Sequence, residues 1–125
     1  MFSFEKLSVY KRAHLQNIKV LQILTLAVGI DPFLKNQMKR ASMSIILNMA
    51  EGNGRESWKE KNYFLTVSRG SAFECVAILD TLKALEHIND QQYNELYTEY
   101  EEISRMLIGL KKSLRRSSVQ STTKL

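Results

Sequence analysis

Gln37, Arg40, Ser44, Asn48 and Glu51 follow one another at spacings of three, four, four and three residues, which puts them on one face of a helix. Ser68, Ser71 and Glu74 repeat the pattern later in the chain. Two chemistries fit these residue types. An arginine beside a carboxylate, with hydroxyls and an amide between, could line a catalytic cleft. The same groups could instead form an internal hydrogen-bonded network, with Arg40 paired to Glu74 and Asn48 bonded to backbone or hydroxyl groups. Such a network fixes the register of two helices. It is the better reading, because no His or Cys joins that face and one carboxylate beside one arginine is not an acid–base pair of separated pKa. Arg40, Ser44, Asn48, Glu51, Ser71 and Glu74 therefore read as a structural polar network.

The two rows are separated by "AEGNGRES", Ala50 to Ser57. A phosphate loop needs G-x-x-x-x-G-K-[ST] after a strand, so that backbone N–H groups encircle the anion and a lysine neutralises it. Gly52 and Gly54 follow a helical pattern instead, and no lysine and hydroxyl come at the required distance. A dinucleotide fingerprint would also need a strand first. The stretch is a corner between helices, although the start of the next helix, with Arg55 and Lys59, could still attract an anion. His14 and His87 stand apart from any Asp, Glu or Cys at metal-ligand spacing, and no E-x-x-H pair of the di-iron type occurs. Cys75, among Phe73, Val76 and Ile78, reads as core packing. These residues imply no enzyme, no metal and no cofactor.

The elements that must hold these residues are helices. The chain of 125 residues is the size of one domain, and one Pro with five Gly leaves few breakers. Leu7, Tyr10, His14, Ile18, Leu21 and Val28 predict a first helix over about 7–28, whose second half, "IKVLQILTLAV", is apolar on more than one face. Gly29 and Asp31–Pro32 stop it and open a second helix over about 32–51, closed by Gly52 or Gly54 in the left-handed conformation. Ser57 with Glu60 is a capping box for a third helix over about 58–87. Asn89 or Asp90 caps a fourth, in which Tyr93, Leu96, Tyr100, Ile103, Leu107, Leu110 and Leu114 make a packing seam. Short connections make neighbours antiparallel, giving an all-α, up-down-up-down four-helix bundle over residues 1–114. A basic tail over 115–125, without periodicity, reads as disordered.

No run of about 18 apolar residues suggests a membrane span. The N-terminus lacks the order of a signal peptide, and the single cysteine needs no oxidising compartment, so a cytoplasmic protein is expected. The net charge of +5 is unevenly placed. Lys111, Lys112, Arg115, Arg116 and Lys124 follow residue 110 with no acid among them, while Glu86, Asp90, Glu95, Glu99, Glu101 and Glu102 form an acidic block just upstream. Charge separated in this way bears on partners and steering.

Three stretches, "FEKLSVYKRA", "QMKRASMSIILNMAEGNGRESWKEKNYFLTVSRGSAFEC" and "MLIGLKKSL", resemble the bacterial four-helix-bundle family named after the reading frame in intervening sequences of 23S rRNA genes. Arg40, Ser44, Ile45, Asn48, Ala50, Glu51, Gly52, Gly70, Ser71 and Glu74 stand where that family carries its Arg, Ser-Ile, Asn, Ala-Glu-Gly, Gly-Ser and Glu. The resemblance covers about residues 2–114. It implies a four-helix protomer that assembles as a ring-like homopentamer. It also implies kinship with the accessory variability proteins of diversity-generating retroelements, basic pentameric barrels that bind nucleic acid and associate with a reverse transcriptase.

The residues point to an oligomer independently, since the wide apolar surface of the first helix and Tyr97, Met106 and Ile108 beside the fourth seam exceed what one bundle buries. Two functions follow. In the first, a helical ring binds RNA or DNA phosphates through Lys111, Lys112, Arg115 and Arg116, joined by Lys35, Lys39, Arg55 and Lys59. In the second, the apolar and acidic surfaces of the first and fourth helices dock another protein, such as a polymerase or reverse transcriptase. A plainer account of the basic residues is a solvated helix end facing the C-terminal dipole.

Overall fold

The computed structural model describes residues 1–124, with side chains as far as Val119. A short 3-10 turn, Ser3–Lys6, precedes α1 (Ser8–Leu26), α2 (Pro32–Gly54), α3 (Trp58–Ala84) and α4 (Asp90–Lys124), and no strand occurs among the described residues. Local chemistry sets each boundary. Asp31 Oδ1 accepts from the Phe33 and Leu34 amides at 2.8 and 3.4 Å, with Pro32 in the first helical position. Ser57 Oγ accepts from the Glu60 amide at 3.2 Å, and Asn89 and Gln92 cap α4 by exchanging bonds of 2.8 and 3.0 Å. α3 stops earlier than its pattern suggests. Glu86 takes φ 63°, and the Glu86 and His87 amides donate back to the Lys83 and Leu82 carbonyls, each at 2.9 Å.

Helices α1 and α3 lie diagonally across the bundle, each touching α2 and α4. The core is built from the α4 seam, where Leu96, Tyr100, Ile103 and Leu107 are buried, and from Met38, Ile45, Met49, Leu65, Leu79 and Leu82 of α2 and α3. The inward face of α1 differs from the expected one. Val9, Ala13, Gln16, Asn17, Val20 and Leu24 are buried, whereas His14, Ile18 and Val28 face outward. Two polar residues lie on that inward face. Gln16 Nε2 donates to the Leu96 carbonyl at 2.9 Å, and Asn17 Oδ1 accepts from Ser42 Oγ at 2.5 Å, so both are satisfied inside.

The two glycines at the corner do not close α2 in the left-handed conformation; among described glycines only Gly29 has positive φ. Helix α2 runs on to Gly54, and Gly52 has a different task. A Cβ there would lie 3.0 Å from Phe64 Cβ and 3.3 Å from both Leu65 Cγ and the Lys61 carbonyl oxygen. The missing side chain lets α2 and α3 touch.

The stretch expected to be a disordered tail is helical in its backbone as far as Lys124. No Gly or Pro follows Gly109, and a helix already nucleated adds residues at little cost. Leu114 is the last residue packed against the core, so α4 outruns the bundle. The side chain of Lys124 and the whole of Leu125, the end of the expected tail, lie outside the described residues.

Two glycine substitutions should therefore act in opposite directions. Gly52→Ala is expected to destabilise the protein by about 1–3 kcal/mol through overpacking. Gly70→Ala, with nothing within 4 Å of the new methyl group, should stabilise it by about 0.5–1 kcal/mol. Urea midpoints of the two variants against the parent check both signs.

Candidate nucleic-acid interface

The polar row of α2 meets that of α3. Arg40 Nη2 pairs with Glu74 Oε2 at 2.6 Å and also donates to Gln37 Oε1 at 3.2 Å. The Ser44 and Ser71 hydroxyls lie 2.7 Å apart, Asn48 Nδ2 donates to the Ser44 carbonyl and hydroxyl at 2.9 Å each, and Ser68 Oγ donates to the Ile45 carbonyl at 2.6 Å. The row is only partly internal. Ser68 and Ser71 are buried, but the Arg40 and Glu74 side chains are 56% and 48% exposed, a geometry in which an ion pair contributes less than about 1 kcal/mol. Glu51 stands aside from the network and pairs with Arg55. The arrangement holds no hydroxyl–base or thiol–base pair, and no group of three metal-ligating side chains occurs among the described residues.

Five of the basic residues are paired with acids, and the rest, Lys35, Lys39, Lys59 and the α4 cations among them, form no ion pair among the described residues. Arg12, Arg40, Arg55, Lys83 and Arg105 each have a carboxylate within 4 Å. Among the described residues Lys112, Arg115 and Arg116 form no ion pair, and Lys111 donates to Thr66 Oγ1 at 2.8 Å rather than to an acid. Burial, and then the nearby charge of Arg69, lowers the pKa of Lys111. With α4 continuing to Lys124, these cations lie well before the helix end, so the C-terminal dipole, which fades within the last turn, does not account for them.

The eight expected contact residues do not form one surface. Lys111, Lys112 and Arg115 border a cleft of about 480 Å³ between α4 and the first turns of α3, closed by Trp58, Asn62 and Ile108. Lys59 is next to Trp58 in the first turn of α3, and Arg116 lies on α4 beside Lys112 and Arg115, over a second hollow with Val119. Arg55 is at the same corner but is neutralised by Glu51 and stacked on Phe64. Lys35 and Lys39 sit near the other end of α2, about 25–30 Å from the corner. Sequence reasoning missed Trp58, Asn62 and Arg69. The only sequence signal was a lone tryptophan opening a helix otherwise started by charged residues.

A second groove, of about 430 Å³, continues along α3 and α4 between Phe73, Val76, Tyr97 and Ile108. Beneath it lies a buried set with one member from each helix: Asn17, Ser42, Cys75 and Tyr100. The Tyr100 hydroxyl is enclosed beside Cys75 and Ser42 without a hydrogen bond of good geometry. Burial pushes the Cys75 thiol up to about 12 and the Tyr100 phenol well above its ordinary value. Both groups therefore stay protonated in the fold, and this thiol is no nucleophile at neutral pH. Their contribution to stability is complete below the ordinary thiol value of 9.0 and is lost as pH rises toward 12. Urea midpoints should be level from about pH 7 to 9 and fall above it, less steeply in Cys75→Ala. A midpoint indifferent to alkali would contradict the buried, protonated pair.

No curated protein matches the chain. A crystal structure of a protein of unknown function from the S23 ribosomal protein family of Bacteroides thetaiotaomicron is similar, with a TM-score of 0.78 at 22% identity over 83% of this chain and 95% of that one. That likeness shows the fold. A model of the family described as 23S rRNA-intervening sequence protein matches residues 5–109, which reach into all four helices. The chain belongs to the 23S rRNA-intervening sequence protein family.

Proposed function

We propose that this protein is a cytoplasmic, non-enzymatic, homo-oligomeric bundle that binds RNA or DNA phosphates through Lys111, Lys112, Arg115 and Arg116. One observation supports the reading: these four cations share one stretch of helix, and among the described residues no carboxylate neutralises any of them. Like charges held together cost energy that a polyanion removes, and they steer it on approach. Lys59 extends the patch, whereas Lys35 and Lys39 lie too far along α2 to join it. The acidic first half of α4 keeps the bound acid at the basic end.

The protomer in this proposal is an antiparallel up-down-up-down bundle. Contacts of 40 with 74, 44 with 71 and 45 with 68 step in opposite senses along α2 and α3, which supports that arrangement. The assembly is a ring, with five copies as the family resemblance implies. Leu15, Ile18, Leu26 and Val28 leave one apolar surface on or beside α1, and Phe73 and Ile108 leave another on the α3/α4 groove. Two unlike patches on different sides favour head-to-tail contact, the kind that closes into rings. The same groove also supports the reading as a scaffold that docks a different protein.

Fluorescence anisotropy with a labelled RNA across a salt series tests binding. Four phosphate contacts predict a slope of log affinity on log salt of about −3 to −4, near a hundredfold loss between about 50 and 200 mM. Reversing Lys112, Arg115 and Arg116 to Glu should flatten the slope while leaving helix content unchanged. Light scattering should give five times the 14.5 kDa of the chain, and Ile18→Glu or Phe73→Glu should lower that mass to the monomer. A parent protein that is monomeric would favour the scaffold.

A further inference from the structure

We infer that Trp58 is a stacking platform for an unpaired base, so that the nucleic acid held at the α4 cations is single-stranded where it crosses the cleft. The inference rests on the nucleic-acid reading above and narrows it to one class of ligand.

Trp58 is half-buried and opens α3, with Asn62 one turn later on the same face. Across the cleft stand Ile108, Lys111, Lys112 and Arg115 of α4. This is an aromatic surface, an amide able to donate and accept, an apolar wall and three cations around about 480 Å³, room for a nucleoside with its phosphates outside. The other aromatic faces beside cations are already used. Arg55 covers Phe64 at 4.8 Å, Arg69 covers Phe73 at 4.7 Å and Lys83 covers Tyr93 at 4.2 Å. Among the described residues no cation or ring stacks on Trp58. Its indole therefore lines the cleft with no cation or ring stacked on it, beside cations that no described carboxylate neutralises.

Duplex bases hide their faces against one another and present only edges in the grooves. A single strand can offer both a phosphate to the cations and a base to the indole, the pairing that single-strand binders use without regard to sequence. Asn62 can then bond the edge of the stacked base.

Trp58 is the only tryptophan, so its emission reports the cleft in the unmodified protein. The probes are labelled oligouridylate of about 12 nucleotides and an RNA duplex of equal length. Anisotropy measures binding, and indole emission in the same titration measures contact. Quenching by the single strand that saturates with its binding, and absent with the duplex, is expected. Trp58→Ala should weaken the single strand roughly ten- to a hundredfold and Trp58→Phe much less, with circular dichroism melts verifying the fold. Binding of the oligonucleotide with indole emission unchanged, and undiminished in Trp58→Ala, would overturn the inference while leaving the phosphate reading in place. Failure of both probes to bind at low salt removes the phosphate reading itself, and this one with it.

Discussion

Gly52 lets the backbone of α2 lie against Phe64 and Leu65 of α3, and from that contact the two helices pair in steps up to Arg40 and Glu74. A side chain at Gly52 would push them apart at the end where the pairing begins. The spacing matters beyond the pair. Ser68 and Ser71 are small enough to stay buried in the seam and bond across it to α2, and another face of α3 turns toward α4. That face carries Trp58, Asn62, Arg69 and Phe73, the lining of both grooves. The polar network thus bears on the register of the helices that line the grooves.

Charge is arranged along α4 much as packing is arranged across it. The first half pairs part of its acids with neighbours, Asp90 with Lys83, Glu99 with Arg12 and Glu102 with Arg105, while Glu95 and Glu101 form no ion pair among the described residues and keep it acidic. The second half has cations and no acids, and part of it lies beyond the last core residue. An unneutralised stripe on a projecting helix is electrostatically costly when alone and favourable beside phosphates. Burial at the other face of the same helix holds it in place: Tyr100, Ile103 and Leu107 are each no more than 1% exposed.

The number, order and caps of the helices were legible because breakers are few and each signal is local: Pro32 after Asp31, Ser57 before Glu60, Asn89 before Gln92. The inner face of α1 was not. Hydropathy places Gln16 and Asn17 outside, and only a tertiary partner for each, Leu96 and Ser42, makes burial affordable. Gly52 was misjudged for a similar reason, since a glycine near a helix end suggests a left-handed cap until its neighbour across the corner is known. The basic half of α4 could be read from the residue types. Its meeting with Trp58, about fifty positions earlier, could not, because that contact exists only once α3 and α4 pack.

The most direct measurement is a lysine footprint: brief acetylation of the protein with and without bound RNA, with each site read by mass spectrometry. Protection confined to Lys59, Lys111 and Lys112, with Lys35 and Lys39 labelled as in the free protein, is the result expected of a polyanion seated at the α3/α4 corner. Protection of Lys35 and Lys39 with Lys111 and Lys112 left reactive would place the nucleic acid at the opposite end of the bundle and contradict the account.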